Sequence, residues 1–70
     1  MKQTVILRKI RQAATARGIA YETKELGDHT GVILNATRVT VVSRGTHLDD
    51  DYAEQVYRQC AGILGNRWWK

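Results

Sequence analysis

The sequence predicts an α+β domain in two layers, ordered α-β-β-β-α, with a three-stranded antiparallel sheet and both helices on one of its faces. Three observations predict it. An apolar stripe at helical spacing opens the chain. Three alternating, β-branched stretches follow, joined by links too short for a parallel crossover. A second helical stripe then begins behind three aspartates. Each helix has one apolar side and the sheet one apolar face, and two layers bury all three surfaces.

The first helix is read over residues 4–17. Ile6, Ile10, Ala13 and Ala14 recur at helical spacing, with Val5 and Leu7 widening the stripe. Gly18 stands where a C-cap belongs, and Arg17 suits the negative end of the helix dipole. Strands are read over 19–26, 30–35 and 37–43. Ile19, Tyr21 and Thr23 alternate with Ala20, Glu22 and Lys24, and Val39 and Val41 alternate with Arg38, Thr40 and Val42. A loop through Arg44, Gly45, Thr46 and His47 leads to a second helix over 49–62. Asp49, Asp50 and Asp51 can cap its free N–H groups, and Asp51 and Glu54 have capping-box spacing. Tyr52, Val56, Tyr57, Cys60, Ala61 and Leu64 form its apolar stripe, where Cys60 reads as a small core residue. Gly62 and Gly65 mark a frayed end, followed by a tail over 63–70 with adjacent tryptophans.

Seventy residues make one domain, 1–70. A chain of this size hides only about 60 % of its unfolded surface, so its core is thin and a deep cleft is not expected. Function belongs on a surface or in a shallow groove. The net charge of +4 points towards polyanions such as nucleic acid. The single cysteine cannot form an internal disulfide, no Cys/His metal spacing occurs, and no motif calls for a cofactor. No apolar run reaches the roughly 20 residues a bilayer requires. These features fit a cytoplasmic protein with no membrane partner.

His29 is the best candidate for chemistry. It lies between Gly27 and Gly31 at a strand entry, and imidazole exchanges protons near neutral pH. The first helix carries Lys2, Arg8, Lys9, Arg11 and Arg17, with no acid between Met1 and Arg17. Solvated faces usually mix signs, so this one is read as phosphate-contacting. Arg38 and Arg44 extend the same reading. Asp28 and His47 are auxiliary candidates, since Asp28 would favour the charged imidazole and His47 could supply a second proton-transfer group. Three successive aspartates on a helix cannot all face one metal ion. Trp68 and Trp69 either pack on the core or meet a partner.

With these residues in view, the chain resembles the HicA mRNA interferase toxins, which have a double-stranded-RNA-binding-domain-like fold. The resemblance covers about residues 5–63. It rests on the first helix ending at Gly18, the Gly27-Asp28-His29 run at a strand entry, the Val39-Thr40-Val41 strand, and the Gln59-Cys60-Ala61-Gly62-Ile63 ending. Asp28 stands where the family has serine, Val42 where it has proline, and Ser43 where it has a second histidine, so the chain is similar to a divergent member. The resemblance implies a type II toxin, an endoribonuclease acting on mRNA through His29. It further implies silencing by a HicB-like antitoxin protein, for which Trp68 and Trp69 are candidate contacts. The residues alone also allow a non-catalytic RNA- or DNA-binding module on this fold, or a small protein-binding adaptor.

Overall fold

The computed structural model describes residues 1–70 and runs α1 (Gln3–Ala16), β1 (Tyr21–Leu26), β2 (His29–Leu34), β3 (Thr37–Ser43), α2 (Asp50–Gln59) and α3 (Ala61–Leu64). The sheet is antiparallel in the order β1-β2-β3. The expected fold class is the one observed.

Helix α1 buries Ile6, Ile10 and Ala14. Val5 does not widen the stripe; it is 39 % exposed. The helix stops in a Schellman arrangement. Gly18 adopts φ +68, its N–H reaches Thr15 O, and the Ile19 N–H reaches Ala14 O. Arg17 donates to Ala13 O, satisfying a carbonyl at the helix end.

Two tight turns set the sheet. Leu26 pairs with His29 across Gly27 and Asp28, and only Gly27 has positive φ, as a type II′ turn needs. Leu34 pairs with Thr37 across Asn35 and Ala36, which both have positive φ, the signature of type I′. His29 is therefore the first residue of β2, one residue ahead of the expected strand start. Between Val32 and Ile33 the pairing with β3 slips by one residue, because Arg38 faces Ile33 while Thr40 faces Val32. This β-bulge decides which side of β3 is buried. A plain two-residue hairpin would place Val39 and Val41 inside, opposite Val32 and Thr30. The slip puts Thr40 and Val42 there instead and leaves Val41 38 % exposed.

The helices cover the face that carries Thr30, Val32, Leu34, Thr40 and Val42. Eleven residues form the core, joining Ile6, Ile10 and Ala14 of α1 to Val32, Leu34 and Val42 and to Ala53, Val56 and Tyr57 of α2. The two buried threonines are satisfied: Thr30 accepts from Gln3 and donates to Glu25, and Thr40 donates to Gln59. A domain of this size holds about 4–10 kcal/mol of net stability. Truncating Ile6 or Ile10 to alanine, at about 2–5 kcal/mol, is thus comparable with the whole.

The second helix takes its cap from the aspartates, as expected, but forms no capping box and ends early. Its cap is Asp49, whose carboxylate accepts from the Tyr52 N–H at 2.8 Å. Glu54 does not complete a capping box with Asp51; it pairs with Arg58 one turn on. The stretch read as one helix over 49–62 divides at Cys60, where the N–H bonds back only three residues, to Tyr57 O. Leu64, expected in the apolar stripe although past the expected helix end, closes α3 inside the core at 3 % exposure. Gly65, at φ +106, ends that helix, while Gly62 sits within it.

Candidate functional site

The site starts from the sheet face the helices leave open. Gly31 identifies that face, because a Cβ there would lie 3.1 Å from Leu26 Cδ1 and 3.4 Å from Arg38 Cδ. His29 is two residues away on the same strand and shares the face. Its neighbours in register are Leu26 on β1 and Ser43 on β3. His29 is exposed, and its ring makes no ion pair; the molecule's two ion pairs are Glu25–Arg44 and Glu54–Arg58. A short glycine turn presents the imidazole, and no carboxylate pairs with it.

His29 lines an open depression of about 260 Å³ with Val41, Ser43, Tyr52, Gln55, Val56 and Gln59. The bulge in β3 places Ser43 opposite His29. Tyr52 then fixes this end of the edge strand, accepting from the Ser43 N–H at 2.8 Å and donating to Ser43 Oγ at 3.1 Å. Gln59 reaches the depression while its amide oxygen accepts from Thr40. The result is a shallow seat at the β3–α2 seam. It is lined by one imidazole, the Ser43 and Tyr52 side chains, two carboxamides and the side chains of Val41 and Val56.

The expected auxiliaries do not join it. Asp28 is exposed in the turn and forms no ion pair with His29; its backbone carbonyl instead accepts from the Arg44 N–H. His47 is exposed in the loop before α2 and does not line the depression. Ser43 was visible in the sequence only as the residue where the resemblance expects histidine. Tyr52, Gln55 and Gln59 carried no signal as site residues, since two elements distant in sequence must meet before they converge.

The basic residues divide over the surface. Lys2 is the residue before α1. Arg8 and Lys9 line an open hollow with Val5 and Gln12 on the exposed side of α1, away from the His29 depression. Lys9 Nζ sits 5.4 Å from the centroid of the Tyr57 ring, a cation–π contact towards α2. Arg11 lies on the opposite flank, near Tyr21, whose hydroxyl pKa is raised by burial and partly restored by that guanidinium. Arg44 pairs with Glu25. Arg38 alone of the expected cations lies on the open face of the sheet, and Lys24, in register with Gly31, shares it.

Both tryptophans pack back against the core, each close to the Tyr57 ring. Trp68 donates from its indole N–H to Tyr57 O at 2.7 Å and packs edge-on to the Tyr57 ring. Trp69, half-buried, stacks edge-on to Trp68 and lines a separate depression with Glu54, Arg58, Ala61, Asn66, Arg67 and Lys70. No helix is long and apolar enough to cross a membrane. Comparison of the chain with protein-family models, with curated proteins and with solved structures finds no match.

Proposed function

We propose that the protein is a HicA-like endoribonuclease, the toxin of a type II toxin–antitoxin pair, with His29 as its proton-transfer residue. The observation that carries this reading is the exposed, unpaired imidazole of His29 set in an open polar seat at the β3–α2 seam. RNA cleavage needs a base to take the proton from a 2′-hydroxyl and an acid to give one to the departing 5′-oxygen. His29 serves one of these transfers and water the other, since no second histidine lines the seat. Attack of the 2′-oxygen on phosphorus breaks the bond to the 5′-oxygen and leaves a 2′,3′-cyclic phosphate. Gln55 and the Ser43 hydroxyl supply neutral donors for the phosphate oxygens. The cations of α1, with Arg38 and Lys24 on the open sheet face, attract the backbone without reading its sequence. A HicB-like antitoxin covering this seat would block it.

The test is incubation of the purified protein with a short single-stranded RNA. Cleavage yields a cyclic phosphate end, disappears in His29→Ala, and spares a substrate with a 2′-deoxy sugar at the scissile position. Intact RNA at every pH tried, with retained salt-dependent binding, would replace the enzyme reading by a non-catalytic RNA-binding module.

A further inference from the structure

We infer that the depression around Trp69 is a second nucleic-acid site, one that stacks a base of single-stranded RNA on the indole and holds the adjoining phosphate. Its lining pairs one aromatic ring with three cations, Arg58, Arg67 and Lys70, against a single carboxylate, Glu54. Rings interleaved with cations recognise unpaired bases, because every base has a π-face and every nucleotide a phosphate. The tryptophan pair supplies the ring in a defined way. Trp68 is committed to the fold by its bond to Tyr57 O and braces Trp69 edge-on at 5.9 Å between centroids. Arg67, at φ +57, makes the turn that brings both rings back over the helices, and the Lys70 N–H closes it on Arg67 O. Arg58 pairs with Glu54, yet its side chain remains 69 % exposed and keeps donors free.

Helix α2 relates this site to the seat of His29. Gln55 and Gln59, one turn apart, line the His29 seat, and Glu54 and Arg58, on the neighbouring row, line the Trp69 depression. A shallow hollow formed by Asp51, Glu54, Gln55 and Arg58 lies between them and shares residues with both. A strand crossing α2 meets His29 on one side and Trp69 on the other. Asp51 and Glu54 repel phosphate at the crossing, which favours passage over Arg58.

The affinity of Trp69 for RNA does not depend on cleavage, so it is measured in the His29→Ala protein, where the RNA stays whole. Oligouridylate of about ten nucleotides is titrated while tryptophan emission is followed, with inorganic polyphosphate as the control for charge alone. Stacking is worth about 1–3 kcal/mol per base, or roughly five- to 150-fold in affinity. Quenched emission, a loss of that size in Trp69→Ala, and substantial retention in Trp69→Phe are expected. Arg67→Ala with Lys70→Ala weakens binding and lowers its salt dependence. Thermal unfolding checks each variant, and Trp69→Phe with the cation pair carries the test if Trp69→Ala does not fold. Unchanged affinity in Trp69→Ala, or polyphosphate bound as tightly as RNA, overturns the proposal. So does emission that RNA leaves unaltered, the result expected of a surface that takes a protein instead. Cleavage without a Trp69 effect removes this site alone, and stacking without cleavage removes only the ribonuclease reading.

Discussion

Helices α1 and α2 cover the same sheet face and contribute comparably to one core, yet their exposed sides are unlike. The segment from Met1 to Arg17 has cations and no acid. Helix α2 opens on Asp50 and Asp51 and holds its one cation, Arg58, in its last turn. By charge alone α1 would be the face of the proposed nucleic-acid contact. By shape it is not, because its cations spread to both flanks, Lys9 towards Tyr57 and Arg11 towards Tyr21, around one open hollow. The less basic α2 borders both depressions that hold chemically distinctive side chains. Under the proposed function, the charge of α1 would draw a polyanion and the seams along α2 would hold it and act on it.

The sharpest way to break this contrast is His29→Ala. If the α2 seam is the working site, the rate of RNA cleavage falls about 10²- to 10⁴-fold. Folding stability changes by no more than about 0.5 kcal/mol, because the side chain is exposed and bonds to nothing. A clear drop in melting temperature, with activity lost only in proportion to unfolded protein, would assign His29 a structural role. The next effect falls on α1. Replacing Arg8, Lys9 and Arg11 together with alanine weakens RNA binding and flattens its salt dependence by up to about two in slope, at roughly 0.7 per phosphate contact. Cleavage of saturating RNA stays near that of the native protein. A large fall in kcat would return α1 to the site.

The sequence showed the architecture because each element carries its own local cause. Gly18 stops α1, the alternating β-branched runs make strands, and Gly27 and Asn35 make the turns. The bulge in β3 was not legible. Val39-Thr40-Val41-Val42 is β-branched throughout, so nothing in composition says that threonine faces the core and Val41 faces water. That one-residue slip also sets Ser43, rather than Val42, across from His29, and so composes the seat. The break at Cys60 was hidden for a related reason: the stripe through Tyr57, Cys60, Ala61 and Leu64 fits one helix or two short ones. His29 itself was legible from its glycine neighbours. Tyr52, Gln55 and Gln59 were not, since their role exists only once α2 lies along β3.

The comparison extends to how each helix is started. Helix α1 has no side-chain cap at Lys2, whereas Asp49 caps α2. Asp49→Ala should therefore cost about 1 kcal/mol, the usual worth of such a cap, seen as a lower denaturant midpoint with an unchanged slope. The opposite cap-forming change, Lys2→Ser, should stabilise by a smaller amount. An Asp49→Ala protein as stable as the native one would mean that packing of Tyr52 and Val56 alone holds the start of α2.

The last contrast, a titration silent at neutral pH, separates the buried sides of the same helices. The residues α1 buries, Ile6, Ile10 and Ala14, do not titrate, whereas α2 buries Tyr57 and ends on the fully buried Cys60. Burial pushes the Cys60 thiol up to about 11, from 9.0, because the thiolate would lose its water. Burial also raises Tyr57, with the Asp50 carboxylate adding to it, and raises Tyr21. In each case the folded protein holds its proton more tightly than the unfolded chain. Stability is thus complete below the unfolded thiol's pKa and drains away as pH rises from 9 towards 11. Denaturant midpoints measured across that range should decline, and the decline should be shallower at its onset in Cys60→Ala. The variant starts lower at neutral pH, where it loses packing, and the two curves converge as pH rises. The tyrosines still titrate in the variant, so a steeper fall returns above pH 10, their ordinary value. A native thiol that reacts with a modifying reagent at neutral pH as fast as in denaturant, or parallel pH curves for the two proteins, would show that Cys60 is not shielded and that α2 contributes nothing special to alkaline sensitivity.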